Sequence, residues 1–274
     1  MHSASFFISP QELWSQIGTE AAPLIVDTRK RAVYDEAPGL LPTSIWRDNA
    51  DIVQWSKLLD RTRPIVFACR LAHNMSQTPA AYLRGEGIDA RVLAGGYAAW
   101  AEAKLPLLNK SALDRFAPMR PSVWVTRRRP KIDRVACPWL IRRFIDAEAR
   151  MLFVDPDQVV EVAKQTGAIP FDIEGVEISH EGPRCSFDTM LKLFGLEGDI
   201  SLARLALIVR GADTARPDLA PEAAGLHAVS LGLSALAGDD DHGLLRNGFM
   251  VYDALFAWLR LATGERHNWP AKAA

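Results

Sequence analysis

Cys69 stands where an apolar run meets a helical one. Ile65, Val66, Phe67 and Ala68 read as a buried parallel strand, and Ala80, Ala81 and Leu83 read as part of a helix running from Ser76, so Cys69 opens a strand-to-helix turn. Such a turn aims backbone N–H groups inward and adds the positive potential of a helix start, which together stabilise a thiolate and any oxyanion beside it. The chemistry on offer is nucleophilic attack by sulfur, with the thiol expected on an exposed loop. An inert, buried thiol ending a strand is the plainer use of the same residue. Arg70, His73, Asn74, Met75 and Ser76 follow directly and would surround a small molecule held at Cys69. Arg70 and His73 bring positive charge to its rim, or are simply solvated loop side chains.

Two further groups of residues carry chemistry. Seven Arg and Lys lie from Arg127 to Arg143, and Arg127 and Arg134 among them could hold a tetrahedral oxyanion through charge-assisted hydrogen bonds. The same run reads equally as a solvated face paired with acids such as Asp133 and Asp146. His180 and Cys185, near Glu181 and Asp188, bring nitrogen, sulfur and oxygen donors into one short stretch, a set that suits zinc or iron. Surface or capping roles are the alternative for that pair. Asp213, after Gly211, reads as a cap or turn residue, and the acids Asp239, Asp240 and Asp241 read as the cap of the last helix.

The elements that position these residues change character along the chain. Residues 9–105 alternate strands with helices: Ser9 and Pro10 start a helix, residues 24–26 and 65–68 are strands, Gly85 and Gly87 stop the next helix, and residues 90–93 lead into the Gly95–Gly96 turn. That alternation predicts a parallel α/β sheet with its site at the carboxyl ends of the strands. Residues 108–121, with Pro118 and Pro121 and no sustained period, read as a linker between a domain over 1–107 and another over 122–274. The second opens on a strand at 123–126, continues with short strands near 151–154 and 170–173, and then turns mostly helical.

Composition limits the remaining functions. The chain has 274 residues, 49% hydrophobic and 24% charged, enough for two cores, and its net charge of −1 supplies no general field for nucleic acid or a membrane surface. No apolar run reaches membrane-spanning length, and residues 1–7 lack the basic start and long apolar core of a secretory signal, so the expected location is cytoplasmic. Three cysteines without CxxC spacing argue against a disulfide framework and a zinc ribbon.

Ile25-Val26-Asp27-Thr28-Arg29, Gly39-Leu40-Leu41-Pro42-Thr43-Ser44 and Leu93-Ala94-Gly95-Gly96-Tyr97-Ala98-Ala99-Trp100, in this order around Cys69, resemble the motifs of a rhodanese domain over residues 8–105. The resemblance implies that Cys69 is the persulfide-forming nucleophile of a sulfurtransferase, which takes sulfur from a small donor and passes it to a thiol acceptor. The loop from Cys69 to Ser76 is one residue longer than in thiosulfate sulfurtransferases and resembles that of dual-specificity phosphatases built on the same fold. Those carry an Arg six positions after the Cys, where this chain has Met75. A persulfide needs a thiolate and an amide cradle rather than that Arg.

Trp124-Val125-Thr126-Arg127, the run from Pro130 to Asp146, Pro170-Phe171-Asp172-Ile173, Ser179-His180-Glu181-Gly182, Cys185-Ser186-Phe187-Asp188, Val209-Arg210-Gly211-Ala212-Asp213-Thr214 and Tyr252-Asp253-Ala254-Leu255 resemble the C-terminal domain of the chromate-resistance protein B family over residues 122–265. That resemblance implies a chromate or oxidative-stress context. The expectation is therefore an α/β rhodanese-like domain followed by an α-rich α+β domain, transferring sulfur at Cys69, with the second domain holding chromate, a metal, or both. A non-catalytic chromate or redox sensor is the alternative, and direct DNA binding has no helix-turn-helix to support it.

Overall fold

A parallel five-stranded sheet organises the first half of the chain. In a computed structural model, which describes residues 5–265, the elements run β1 (Phe7–Ile8), α1 (Pro10–Gln16), β2 (Leu24–Asp27), α2 (Arg31–Asp35), β3 (Gly39–Leu40), β4 (Ile45–Trp46), α3 (Ile52–Trp55), β5 (Ile65–Ala68), α4 (Asn74–Gly85), β6 (Ala90–Leu93) and α5 (Gly96–Glu102). The strand order is β1-β6-β5-β2-β4, with every pair parallel. Central β5 is buried along its whole length, as a strand covered by helices on both faces must be, which is why it reads as an unbroken apolar run. Ser9 caps α1 by accepting the Glu12 N–H at 3.1 Å, with Pro10 in the first helical position. The residues read for a targeting signal begin at 1–4, and these, like 266–274, lie outside the described residues.

Residues 108–121 are not the aperiodic connection that their prolines suggest. β7 (Leu108–Asn109) pairs antiparallel with β3, and α6 (Lys110–Phe116) follows, capped by Asn109 and burying Ala112 and Leu113. Ala112, Leu113 and Phe116, apolar at helical spacing within a seven-residue stretch, are too brief a signal to outweigh two nearby prolines.

The second half is built on three parallel strands in the order β10-β8-β9. It runs β8 (Val123–Arg127), α7 (Asp133–Leu140), β9 (Arg150–Val154), α8 (Val159–Thr166), β10 (Ile169–Pro170), then α9 (Ser186–Leu193), α10 (Ile200–Asp213), α11 (Ala223–Ala237) and α12 (Asp241–Ala257). Val125 faces α8 across a small cluster with Val159 and Ala168, while Trp124 joins the large core beneath α7, α9 and α12. α7 continues into a wider turn over Ile141–Ile145, closed by the Asp146 N–H on the Ile141 carbonyl at 2.7 Å. Pro138, inside α7, therefore does not end the helix. Asp240 caps α12 by accepting the Gly243 N–H at 2.8 Å, as its acidic run predicts.

One apolar core runs through both halves, joining Ile8, Leu13, Ile17 and Trp100 to Trp139, Phe144 and Phe256. Trp14 stacks edge-on to Trp100 and tilted on Phe144, both at 6.0 Å, and the Arg260 guanidinium lies 4.6 Å above its ring. Arg260 also donates to the carbonyls of Trp14 and Ile17, at 3.1 and 2.8 Å. Gly18 lies in this seam at φ +85°, and a Cβ there would come within 2.5 Å of Phe144 and 2.7 Å of Phe256. Only glycine fits both the backbone and the space. Among the described residues no helix is long and apolar enough to cross a membrane.

Candidate functional site

β5 delivers Cys69 to the carboxyl edge of the sheet, and the chain then loops through residues 70–73 before α4 begins. Ala72 takes a left-handed conformation at φ +58° to make that loop. Its other wall is the start of α5: the Tyr97 and Ala98 N–H groups donate to the carbonyls of Cys69 and Arg70 at 2.8 and 3.0 Å. Gly96 sits so close that a Cβ would run into the Cys69 carbonyl oxygen. Gly96 therefore serves the cysteine loop directly, while Gly95 makes room for Ala99. Among the described residues no acceptor takes the N–H groups of Arg70, Leu71, Ala72 or His73, which leaves a curved row of free donors following the sulfur.

The thiol is less open than a loop position suggests. Cys69 is only 4% exposed, so the expectation of an exposed sulfur is corrected: the strand end lies below the rim and the loop folds over it. Ser76, buried, has its hydroxyl 3.2 Å from Cys69 Sγ and 3.2 Å from the His73 carbonyl. Arg70, His73 and Asn74 are exposed on the rim, and half-buried Met75 meets the Asn49 amide at 4.0 Å. Arg29 is no free cation for this loop. Its guanidinium is held by Asp27 at 2.6 Å and stacks 4.0 Å above the Tyr97 ring.

The second concentration of chemistry lies where β8, β10, α7, α9 and α10 meet. His180 Nε2 lies 3.3 Å from Asp133, 3.5 Å from Asp172 and 3.2 Å from Asp213. Asp133 begins α7, Asp172 follows β10 and Asp213 ends α10, so residues far apart in sequence converge on one imidazole. Cys185 Sγ lies within 4.8 Å of carboxylate oxygens of both Asp133 and Asp213. Asp133, Asp172 and Cys185 are buried, whereas the His180 side chain is 42% exposed at the entrance. The backbone is held in unusual conformations here, with Ile132 at φ +45° and Asp172 at φ +52°. The Tyr252 hydroxyl holds the first of these by donating to the Ile132 carbonyl at 2.7 Å.

Electrostatics follow from the crowding. The hydrogen bond to Asp133, reinforced by the charges of Asp213 and Asp172, lifts His180 to about 9. Burial, and then the Asp133 charge, raises Asp213 to about 8 and raises Asp172 as well. Burial is also the main reason that the Cys185 and Cys137 thiols are pushed up.

These positions revise three expectations. Arg127 and Arg134 do not form an open oxyanion pocket: both turn to Asp172 Oδ2, at 2.7 and 3.2 Å, because a buried carboxylate requires counter-charge. The rest of the basic run disperses, Arg128 to Asp155, Arg142 to the Ala149 carbonyl and Arg143 to Asp253. Asp213 is a member of the cluster rather than a cap. His180 and Cys185 do come to one place, although Glu181 turns away to pair with Lys192; Asp188 stays beside Cys185, accepting its N–H at 3.1 Å and its thiol at 3.4 Å, and takes Arg210. The three aspartates around His180 were hidden because no local spacing connects positions 133, 172 and 213.

Known proteins resemble the two halves of the chain separately. Residues 9–103 match the model of the rhodanese-like domain, and residues 124–259 match that of the ChrB C-terminal domain. Protein ChrB of Cupriavidus metallidurans is 38% identical over 138 residues, 48% of this chain and 39% of that relative, so the match spans well under half of its length. A rhodanese homologue from Thermus thermophilus is 30% identical, with a TM-score of 0.28, covering 34% of this chain and 98% of that one. A rhodanese-related protein from Thermoplasma volcanium is 20% identical, with a TM-score of 0.33, covering 38% and 97%. By the two family models, the first half of the chain is similar to a rhodanese-like domain and the second to a ChrB C-terminal domain.

Proposed function

We propose that this chromate-resistance-related protein transfers sulfur through a persulfide on Cys69. The observation that carries the reading is the setting of Sγ, 3.2 Å from the Ser76 hydroxyl and followed by a loop whose N–H groups at residues 70–73 have no acceptor. A thiolate there gains a hydrogen bond from Ser76 and the field of the loop amides. It attacks the outer sulfur of a donor such as thiosulfate, the donor's sulfur–sulfur bond breaks, sulfite leaves, and a persulfide remains. An acceptor thiolate then removes that sulfur and restores Cys69. Met75, in place of a clamping arginine, suits a sulfur atom better than a phosphoryl dianion.

The burial of Cys69 favours one second reading, a sensor whose thiol reports on an oxidant without turnover. One experiment separates the two. Wild-type protein mixed with thiosulfate should gain one sulfur atom by intact mass, lose it to cyanide as thiocyanate, and repeat the cycle, while Cys69→Ala should do neither. Turnover that persists in Cys69→Ala removes the sulfurtransferase reading, and one modification without repeated turnover points to the sensor.

A further inference from the structure

His180 Nε2 carries at most one hydrogen, yet oxygens of three separate aspartates stand 3.2–3.5 Å from it. One N–H cannot serve three acceptors in different directions. Asp133 and Asp213 have no arginine or lysine partner among the described residues; His180 is their ion-pair partner. Two carboxylates facing each other away from water are costly unless something positive lies between them. Thr126 adds an unmet polar group. It is fully buried, its hydroxyl has no partner, and strand alternation puts it on the Trp124 side of β8, where α7 and α9 lie. The register that pairs Pro170 with Val125 sets Thr126 level with Phe171, next to Asp172.

The spacings fit a cation. Bonds of about 2.0–2.1 Å from zinc to nitrogen and oxygen give ligand-to-ligand edges of about 3.3 Å in a tetrahedron, close to the three distances around His180 Nε2. Asp172 is already oriented as a ligand: Arg127 and Arg134 hold Oδ2, and the Ser186 hydroxyl donates to Oδ1 at 2.8 Å. The Ser186 N–H likewise reaches Asp133 at 3.3 Å. Charge closes too. Three carboxylates and a Cys185 thiolate, set against two guanidinium groups, leave the two negative charges that one divalent ion neutralises. A cavity of about 440 Å³, lined by Arg127, Asp172, Ser179 and His180, opens the cluster to solvent and supplies an entry path.

We propose that Asp133, Asp172, Asp213 and His180, with Cys185 on the inner side, form a binding site for one divalent transition-metal ion of the zinc or ferrous class. Carboxylate and imidazole alone would suit manganese as well; the thiol tilts the preference toward zinc and iron and away from magnesium and calcium. The site stands apart from Cys69 and does not depend on sulfur transfer there.

The test uses the full chain carrying Cys69→Ser, which removes the other reactive thiol, freed of metal by a chelator and titrated with Zn²⁺ by calorimetry. The expected result is one ion per chain, a rise in unfolding temperature on binding, and no comparable response to Mg²⁺. Cobalt(II) in place of zinc should show a thiolate-to-metal band that Cys185→Ser removes. Asp133→Asn and Asp213→Asn, which relieve repulsion in the metal-free protein, should each weaken zinc binding at least about tenfold. His180→Ala, at the exposed entrance, should do the same and guards against a folding defect in the buried variants. No zinc uptake by the stripped protein, or uptake that all three variants leave unchanged, overturns the site. Neither outcome bears on the thiocyanate assay at Cys69, so the two readings fail separately.

Discussion

Ser76 sits seven residues beyond Cys69, yet the first turns of α4 bring its hydroxyl to 3.2 Å from the sulfur, as near as it lies to the His73 carbonyl. The hydroxyl has one hydrogen and can turn to either. When the sulfur is charged it is the stronger acceptor, and a hydrogen bond to a charged group is worth about 1.5–3 kcal/mol. Ser76→Ala should therefore slow sulfur transfer at Cys69 by about tenfold or more. The check is the rate of thiocyanate formation; an unchanged rate would assign the hydroxyl to His73 alone.

Gly18 predicts a large effect far from either site. Gly18→Ala places a methyl group against Phe144 and Phe256 at a backbone angle that alanine resists. We expect a loss of about 2–4 kcal/mol in denaturant unfolding. A loss below half a kilocalorie would mean that the seam between the halves yields easily.

The continuous core predicts how the chain unfolds. Residues 108–116 are paired or helical and the core continues across the halves, so limited proteolysis should not release two stable halves at that segment. Unfolding followed by tryptophan fluorescence and by circular dichroism should give coincident curves. Separated transitions would show that the contacts around Trp14 add little.

Arg134 supplies part of the counter-charge of Asp172, and Arg134→Met keeps its bulk while removing that charge. Breaking a buried pair from one side costs about 3–5 kcal/mol; with Arg127 still in place the expected loss is nearer about 2 kcal/mol. An unaltered unfolding midpoint would free Arg134 from that role and return it to ligand binding.

Much of the first half was legible in the sequence because its signals are local. A buried parallel strand is a run of apolar residues, and a cysteine at its end, a Gly-Gly turn and a capped helix each need only a few neighbours. Whether Cys69 is buried or exposed stayed open in the sequence, since it depends on how the loop at 70–73 folds against the turn at 95–96. The basic run at 127–143 misled for a related reason. Counting arginines shows charge but not its destination, and the acids that take these arginines are at positions 155, 172 and 253. His180 and Cys185 were visible as donors only because they are close in sequence. Asp133, Asp172 and Asp213 meet through tertiary packing, which no spacing encodes.

The shared core also bears on how such a fusion could be taken apart. Cutting the gene near residue 107 would strip β3 of its partner strand and leave Trp14 and Ile17 facing water. The rhodanese-like half could not be exchanged for another copy of the fold unless that copy carried a matching tryptophan and a glycine at the seam. Recombination would thus treat the two halves as a single heritable unit.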